Sequence, residues 1–249
     1  MLYDAGAVTP TDEATDKGSS TRMDSSADVI RSQNTWNCPV FLIGFMGSGK
    51  TTVGRMLARI LGRTFLDTDE MIVQDQQMPI TQIFEKYGEP YFRDLETGLL
   101  RKLEKDLQET GRQETTIRET GRQETGRQEP DLQEAGRQET DPSGYVISVG
   151  GGLPLREENR IIMKRIGIVI YLKASPDTLV ERLKGDTSRP LLQGGNMREK
   201  ILSLMEKRDS FYTQAAQIQL FTDEMSVRET ARCAARQIKI TVEKIPQIR

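Results

Sequence analysis

The chain has no histidine, and in 249 residues it has only two cysteines, Cys38 and Cys233. The first absence removes the commonest metal ligand and the side chain best suited to proton transfer near neutral pH. Acid–base chemistry therefore falls to carboxylates, lysine or tyrosine. Two cysteines are too few for a disulfide framework and lack the spacing of zinc ligands. A surplus of charge is also missing. Thirty-five basic residues face 37 acidic ones, for a formal net charge of −2, so no broad field draws nucleic acid or an anionic membrane, and any basic site is local. No apolar run approaches the length of a membrane span, and the first 36 residues lack the basic start and apolar middle of a secretory signal. These absences lead to the expectation of a cytoplasmic enzyme that binds neither nucleic acid nor membrane. At this length, one compact domain is the simplest organisation.

Two stretches lack the means to pack. Residues 1–36, rich in Thr, Ser and Asp, show no apolar periodicity that would offset the entropy of ordering, and they read as a disordered tail. Met23, much nearer the first apolar run, is a candidate alternative start. Between about 109 and 143 the chain repeats GRQET at Gly111, Gly121 and Gly136, with GRQEP at Gly126, and holds only Ile117 and Leu132 as large apolar residues. A five-residue period matches neither helix nor strand and is far shorter than a solenoid unit. The segment reads as a mobile surface insertion of low complexity whose closure entropy grows only slowly with length.

What remains alternates strands with helices. Val40, Phe41, Leu42 and Ile43 form a wholly apolar run of the kind buried on both faces of a sheet. Val53, Met56, Leu57, Ile60 and Leu61 then fall on one helical face that ends near Gly62. A strand follows over Thr64, Phe65, Leu66 and Asp67, and two helices over roughly 79–108 are separated by the break at Gly88, Glu89 and Pro90. After the insertion come a strand over 145–149, a helix over 157–165 and a strand over 167–172. Ser175 caps a further helix with Pro176 at its first turn. A polar stretch over 184–196 precedes a long helix through Ala216, a last strand over 218–221 and a terminal helix. This order specifies an α/β fold, a doubly wound parallel five-stranded sheet flanked by helices, in a single domain over 37–249.

The residues from Gly44 to Thr51, GFMGSGKT, fit G-x-x-x-x-G-K-[ST] between a buried strand and an amphipathic helix. In such a loop the glycines let successive amides converge on phosphate oxygens at the positive end of the helix, Lys50 reaches the outer phosphates, and Thr51 offers its hydroxyl to Mg²⁺. Gly54 lets the helix approach the sheet closely. A nucleoside triphosphate is the ligand, but the loop alone does not separate a kinase from a switch GTPase or a mechanical ATPase. No Asn-Lys-x-Asp guanine-reading motif is present.

Acceptor chemistry is carried by further motifs in one order: Asp67-Thr68-Asp69 at the end of the second strand, Phe92-Arg93 with Glu96, Gly150-Gly151-Gly152, Ser188-Arg189-Pro190, and Lys207-Arg208 with Tyr212. Read together they resemble the shikimate kinase family over about 39–240, apart from the insertion. The resemblance implies a nucleoside-monophosphate-kinase-like fold and an ATP-dependent kinase that phosphorylates the shikimate 3-hydroxyl in chorismate and aromatic amino-acid biosynthesis, with Mg²⁺ as the metal.

Carried over residue by residue, the resemblance implies that Asp69 acts as base or orienter for that hydroxyl, and that Asp67 holds Mg²⁺ through water beside Thr51. Gly47, Ser48, Gly49, Lys50, Thr51 and Thr52 bind ATP, Lys50 having a catalytic part as well. Arg93 and Arg208 grip the substrate carboxylate, with Gly150, Gly151 and Gly152 alongside. Arg189 closes as the arginine of a lid, and Arg182 stacks on adenine. Forked guanidinium groups suit a planar carboxylate, and glycines let a small polyol approach backbone amides. Glu96 is placed to orient Arg93 by an i, i+3 pair. The repeat insertion and the lack of an adenine-contact motif over 222–227 depart from the family pattern. The expected partners are shikimate and ATP alone, bound by a monomer. The rival readings are a related polyol or sugar-acid kinase, such as a gluconate kinase, and a kinase-like protein that binds nucleotide for regulation.

Overall fold

The computed structural model describes residues 38–120, 144–184 and 196–244, with only the backbone described over 110–120. The N-terminal segment 1–36, the repeats over 121–143 and Arg189 lie outside the described residues.

Among the described residues, five strands form one parallel sheet: β1 (Val40–Ile43), β2 (Thr64–Asp67), β3 (Tyr145–Ser148), β4 (Ile168–Lys173) and β5 (Ile218–Phe221), in the order β2-β3-β1-β4-β5. β1 is central, with Phe41 level with Ile147 of β3 on one side and Val169 of β4 on the other. Among the described residues, seven helices connect and flank the strands: α1 (Lys50–Leu61), α2 (Thr68–Gln76), α3 (Ile80–Thr120), α4 (Glu157–Ile166), α5 (Pro176–Leu183), α6 (Met197–Ala215) and α7 (Val227–Lys244).

The side-chain period of two sorts the buried residues onto two faces. Val40, Leu42, Ile168 and Ile170 pack with Leu57 and Leu61 of α1 and with Ala234 and Ile238 of α7. Phe41, Ile43, Val169 and Tyr171 turn the other way, against Leu100, Ile162, Leu179, Ile201 and Tyr212. Each of these large side chains contributes roughly 1.5–3 kcal/mol by leaving water. A strand buried on both faces is therefore a continuous apolar run, as over 40–43. A third, smaller cluster of Ile72, Ile83 and Phe92 holds α2 against α3.

Local signals account for the boundaries near the loop. α1 starts at Lys50 because Gly49 takes a left-handed conformation (φ 91°), and it stops at Gly62 (φ 66°), where the Arg63 amide donates to the Ala58 carbonyl at 2.8 Å. A Cβ at Gly54 would lie 2.5 Å from the Phe65 ring and 3.0 Å from Leu42, so the bare α-carbon is what lets α1 lie close to the sheet.

Three features depart from the sequence expectation. α2 carries only Thr68 and Ile72 as buried positions, too few for a visible period. A single 3₁₀ turn, Leu153–Leu155, follows the glycine run. The two helices expected over 79–108 are present and meet at the non-helical Gly88 (φ 80°, ψ 170°), so that α3 is a broken helix; the departure is that its second half stays helical to Thr120, into the first repeat. Glu, Gln and Arg propagate a helix well, and Pro90 falls in the first turn after the break, where a missing amide is tolerated.

Candidate active site

The C-terminal ends of β1, β2 and β3 open into one cleft of about 910 Å³. In an open parallel sheet this edge is where loops with free backbone amides gather.

At one end lies the glycine-rich loop. Gly44, Gly47 and Gly49 all have positive φ, and a Cβ at Gly44 would fall 2.6 Å from the Leu172 carbonyl oxygen. The Lys50 ammonium donates to the carbonyls of Gly44 (3.0 Å) and Phe45 (3.1 Å), which keeps its charge at the mouth of the loop. Asp67 has two tasks. One oxygen caps α2 by accepting the Asp69 amide at 3.1 Å, and the other accepts the Thr51 hydroxyl at 3.1 Å. Capping is the bland role open to such an aspartate; here it coexists with the link to Thr51.

That hydroxyl–carboxylate pair is the test of whether a divalent cation fits. Both donors are hard oxygens, and among the described residues no three His, Cys, Asp or Glu side chains gather into a metal cluster. The donor set suits an ion that keeps most of its waters and takes phosphate oxygens, as Mg²⁺ does.

At the other end the remaining predicted site residues converge. The Gly150 amide donates to Thr68 Oγ1 at 3.0 Å, tying the glycine run to the start of α2. A Cβ at Gly150 would lie 2.6 Å from Asp69 Oδ1 and 2.7 Å from Glu96 Oε1, so the two carboxylates close on the same bare carbon. Glu96 is completely buried and its Oε2 accepts from Arg93 Nη1 at 2.7 Å. Burial pushes its carboxyl up to about 7; Arg93 and Arg156 oppose that rise, and Asp69 adds to it. The Arg93 guanidinium lies over Gly152, where a Cβ would stand 2.2 Å from Cζ. The Tyr212 hydroxyl donates to the Gly151 carbonyl at 2.6 Å. Its phenol is pushed above its usual range by burial, an effect that neighbouring Arg208 and Arg93 reduce.

Gly47, Ser48, Gly49, Lys50, Thr51, Thr52, Asp67, Asp69, Arg93, Gly150, Gly151, Gly152, Arg182 and Arg208 all line this cleft, as does Glu96. Arg189 lies outside the described residues. Arg182 donates to the Thr222 carbonyl at 2.8 Å and to its hydroxyl at 3.2 Å, so it is anchored on the segment after β5. Thr222, Met225, Val227 and Thr230 also line the cleft, and these are positions sequence reasoning left unassigned. Phe92, named only as the neighbour of Arg93 in its motif, and Phe84, given no role in the site, both face the cleft. Glu89, read only as part of the break in the helix, lines it as well.

Comparisons with known proteins point to one family. A shikimate kinase family model matches residues 46–111 and 108–239. The chain is 36% identical to the shikimate kinase of Geobacter sulfurreducens over 176 residues, covering 71% of this chain and 77% of the relative. It is 34% identical to that of Neisseria meningitidis serogroup C over 203 residues, covering 82% and 97%. Among solved structures it is similar to the Acinetobacter baumannii shikimate kinase in complex with shikimate, with a TM-score of 0.65 and 31% identity over 86% of this chain and 98% of that one.

Proposed function

This chain belongs to the shikimate kinase family, and from that premise we propose how its residues divide the transfer of a phosphoryl group from ATP to the shikimate 3-hydroxyl. The activity is that of an ATP:shikimate 3-phosphotransferase, a step toward chorismate and the aromatic amino acids. The observation that carries the residue assignments is the convergence of Asp69, Arg93, Gly150–Gly152 and Arg208 in one cleft with the phosphate loop.

Phosphoryl transfer asks for positioning and charge stabilisation more than for covalent catalysis. Gly47, Ser48, Gly49 and Thr52 cradle the phosphates with backbone and hydroxyl donors at the head of α1. Lys50 exchanges the Gly44 and Phe45 carbonyls for outer phosphate oxygens. Arg93 and Arg208 receive the acceptor's carboxylate, with Gly151 and Gly152 offering backbone contact beside it. Asp69 accepts or orients the 3-hydroxyl proton as that oxygen attacks the γ-phosphorus in line and ADP leaves, so no phosphoenzyme forms. Thr51 directly and Asp67 through water would hold Mg²⁺, which when bound neutralises charge on the β- and γ-phosphates. Arg182, braced on Thr222, takes the adenine end. Arg189 enters this scheme from the family resemblance, as the arginine that closes over the phosphates. The enzyme acts as a cytoplasmic monomer on these two small molecules.

The test is to incubate the protein with ATP, Mg²⁺ and either shikimate or gluconate and to measure ADP and phosphorylated product. Shikimate-dependent ADP release is expected, and its absence would overturn the reading. Asp69→Asn is expected to lose about 10²-fold or more in turnover with ATP binding retained. Full activity in that variant would remove Asp69 from the mechanism.

A further inference from the structure

Arg93 already holds two carboxylates. Its Nη1 donates to Glu96, while Nε and Nη2 both donate to Glu89 Oε1, at 3.2 and 2.8 Å. The Nε–Nη2 edge of a guanidinium is one of the paired-donor faces that an incoming carboxylate takes. Glu89 therefore occupies on Arg93 the kind of contact assigned above to the substrate, and both residues line the same cleft.

The two glutamates differ in how readily they can let go. Glu96 is fully buried and Arg93 is its hydrogen-bond donor, so withdrawing it would leave an unpaired buried carboxylate. Glu89 is 58% exposed and has water to turn to. It sits directly after Gly88, whose positive φ breaks the helix, so it projects from the first turn of the second half of α3 at the rim of the cleft. An exposed i, i+4 ion pair of this kind is weak. It is strong enough to occupy the guanidinium edge and weak enough to be displaced.

We infer that Glu89 is a residue that tunes substrate affinity, an internal competitor that covers the Nε–Nη2 edge of Arg93 until a carboxylate with further support displaces it. The inference rests on the reading that Arg93 receives the substrate carboxylate. A simple carboxylate must displace Glu89 with nothing else to offset the exchange. A ring acid whose hydroxyls also reach Asp69 and the glycine run has those contacts to draw on. The apparent affinity of every carboxylate is reduced by the fraction of Arg93 already engaged.

The consequence runs against the usual effect of deleting an active-site contact. Glu89→Ala is expected to lower the KM for shikimate roughly two- to fivefold, the range an exposed pair supports, with the KM for ATP unchanged. Glu89→Gln, which keeps a neutral acceptor, should fall between that variant and the parent. In an Arg93→Ala background, where the KM for shikimate is expected to rise, Glu89→Ala should have no further effect. If Glu89→Ala leaves the KM unchanged or raises it in the native background, Glu89 supports Arg93 and the inference is wrong. If Arg93→Ala itself leaves the KM unchanged, the assignment of the carboxylate to Arg93 fails first, and the competition falls with it.

Discussion

Gly152→Ala separates the geometry of the acceptor site from the stability of the fold. The backbone at this position has φ −95° and ψ −18°, a conformation that alanine adopts without strain. The obstacle is space. An added Cβ would lie 2.2 Å from Arg93 Cζ and Nη1 and 2.3 Å from Nη2. Carbon atoms in contact rest at about 3.5–4.0 Å, so the guanidinium must retreat by roughly 1.3 Å or more. Such a displacement moves it off the position from which it would hold a carboxylate. The loss of one charge-assisted hydrogen bond is worth about 1.5–3 kcal/mol, which corresponds to a rise of about 10- to 150-fold in the KM for shikimate. The phosphate loop is untouched, so the KM for ATP should hold.

The displaced group is the far end of a flexible side chain, and the melting temperature should therefore change little. Steady-state kinetics with each substrate varied at saturating levels of the other, alongside thermal unfolding, reads all three quantities. Gly98→Ala in the same helix as Arg93 is the control. Nothing lies within 4 Å of its added Cβ, so it should stabilise the fold by about 0.5–1 kcal/mol with both KM values unchanged. The reasoning fails if Gly152→Ala binds shikimate within twofold of the parent. It fails equally if both KM values rise in parallel with a loss of stability, which would mean general distortion.

Two further outcomes follow from the same wall of the cleft. Glu96 has a folded pKa of about 7 against an ordinary 4.5, so the folded state keeps its proton to higher pH than the unfolded chain does. Its contribution to stability is therefore complete below about pH 4.5 and is lost as pH rises through about 7. At about 1.4 kcal/mol per pH unit, the unfolding free energy of the parent relative to Glu96→Gln should fall by about 3 kcal/mol across that window; a difference that stays flat in denaturant titrations would show that Glu96 ionises normally. Tyr212→Phe removes the hydroxyl that holds the Gly151 carbonyl but leaves the ring packed at 5.2 Å from Tyr171. The KM for shikimate should rise about 5- to 10-fold, with that for ATP unchanged; equal values for parent and variant would show that the glycine run holds its own shape.

The parts of this site legible in the sequence are those whose physics is local. A run such as Val40-Phe41-Leu42-Ile43 is a strand buried on both faces whatever follows it, and Gly44, Gly49, Lys50 and Thr51 are spaced by the demands of one phosphate loop. The division of work between Asp67 and Asp69 came from the family resemblance and not from local spacing, because both stand at the same strand end. Only the bonds to Thr51 and to the Asp69 amide mark Asp67 as the residue that joins loop and cap. α2 stayed hidden because its buried face is just Thr68 and Ile72. The lining supplied by Thr222, Met225, Val227 and Thr230 arrives from beyond β5 and carries no spacing rule, since a surface closing over a ligand from a distant segment needs shape and not period. The extension of α3 to Thr120 was obscured by a repeat that fits no helical stripe, whereas propensity alone suffices to carry the backbone onward.

The acceptor end of the cleft is also where the chain departs from its own folding rules. Glu96 is buried with Oε1 lacking a hydrogen-bond partner, and it shares with Asp69 a space that exists only because Gly150 has no side chain. Arg93 lies against Gly152 for the same reason. Three consecutive glycines are a poor choice for stability, since each gives up more conformational freedom on folding than any other residue. They are tolerated because the sheet behind them is filled on both faces, and because Thr68 and Tyr212 fasten the run from opposite sides. A side chain at position 150 would have to displace one of the carboxylates, and at position 152 the guanidinium. The glycines thus act by volume: they set how closely Asp69 and Arg93 approach the glycine run, and so the dimensions of the space proposed above for the acid.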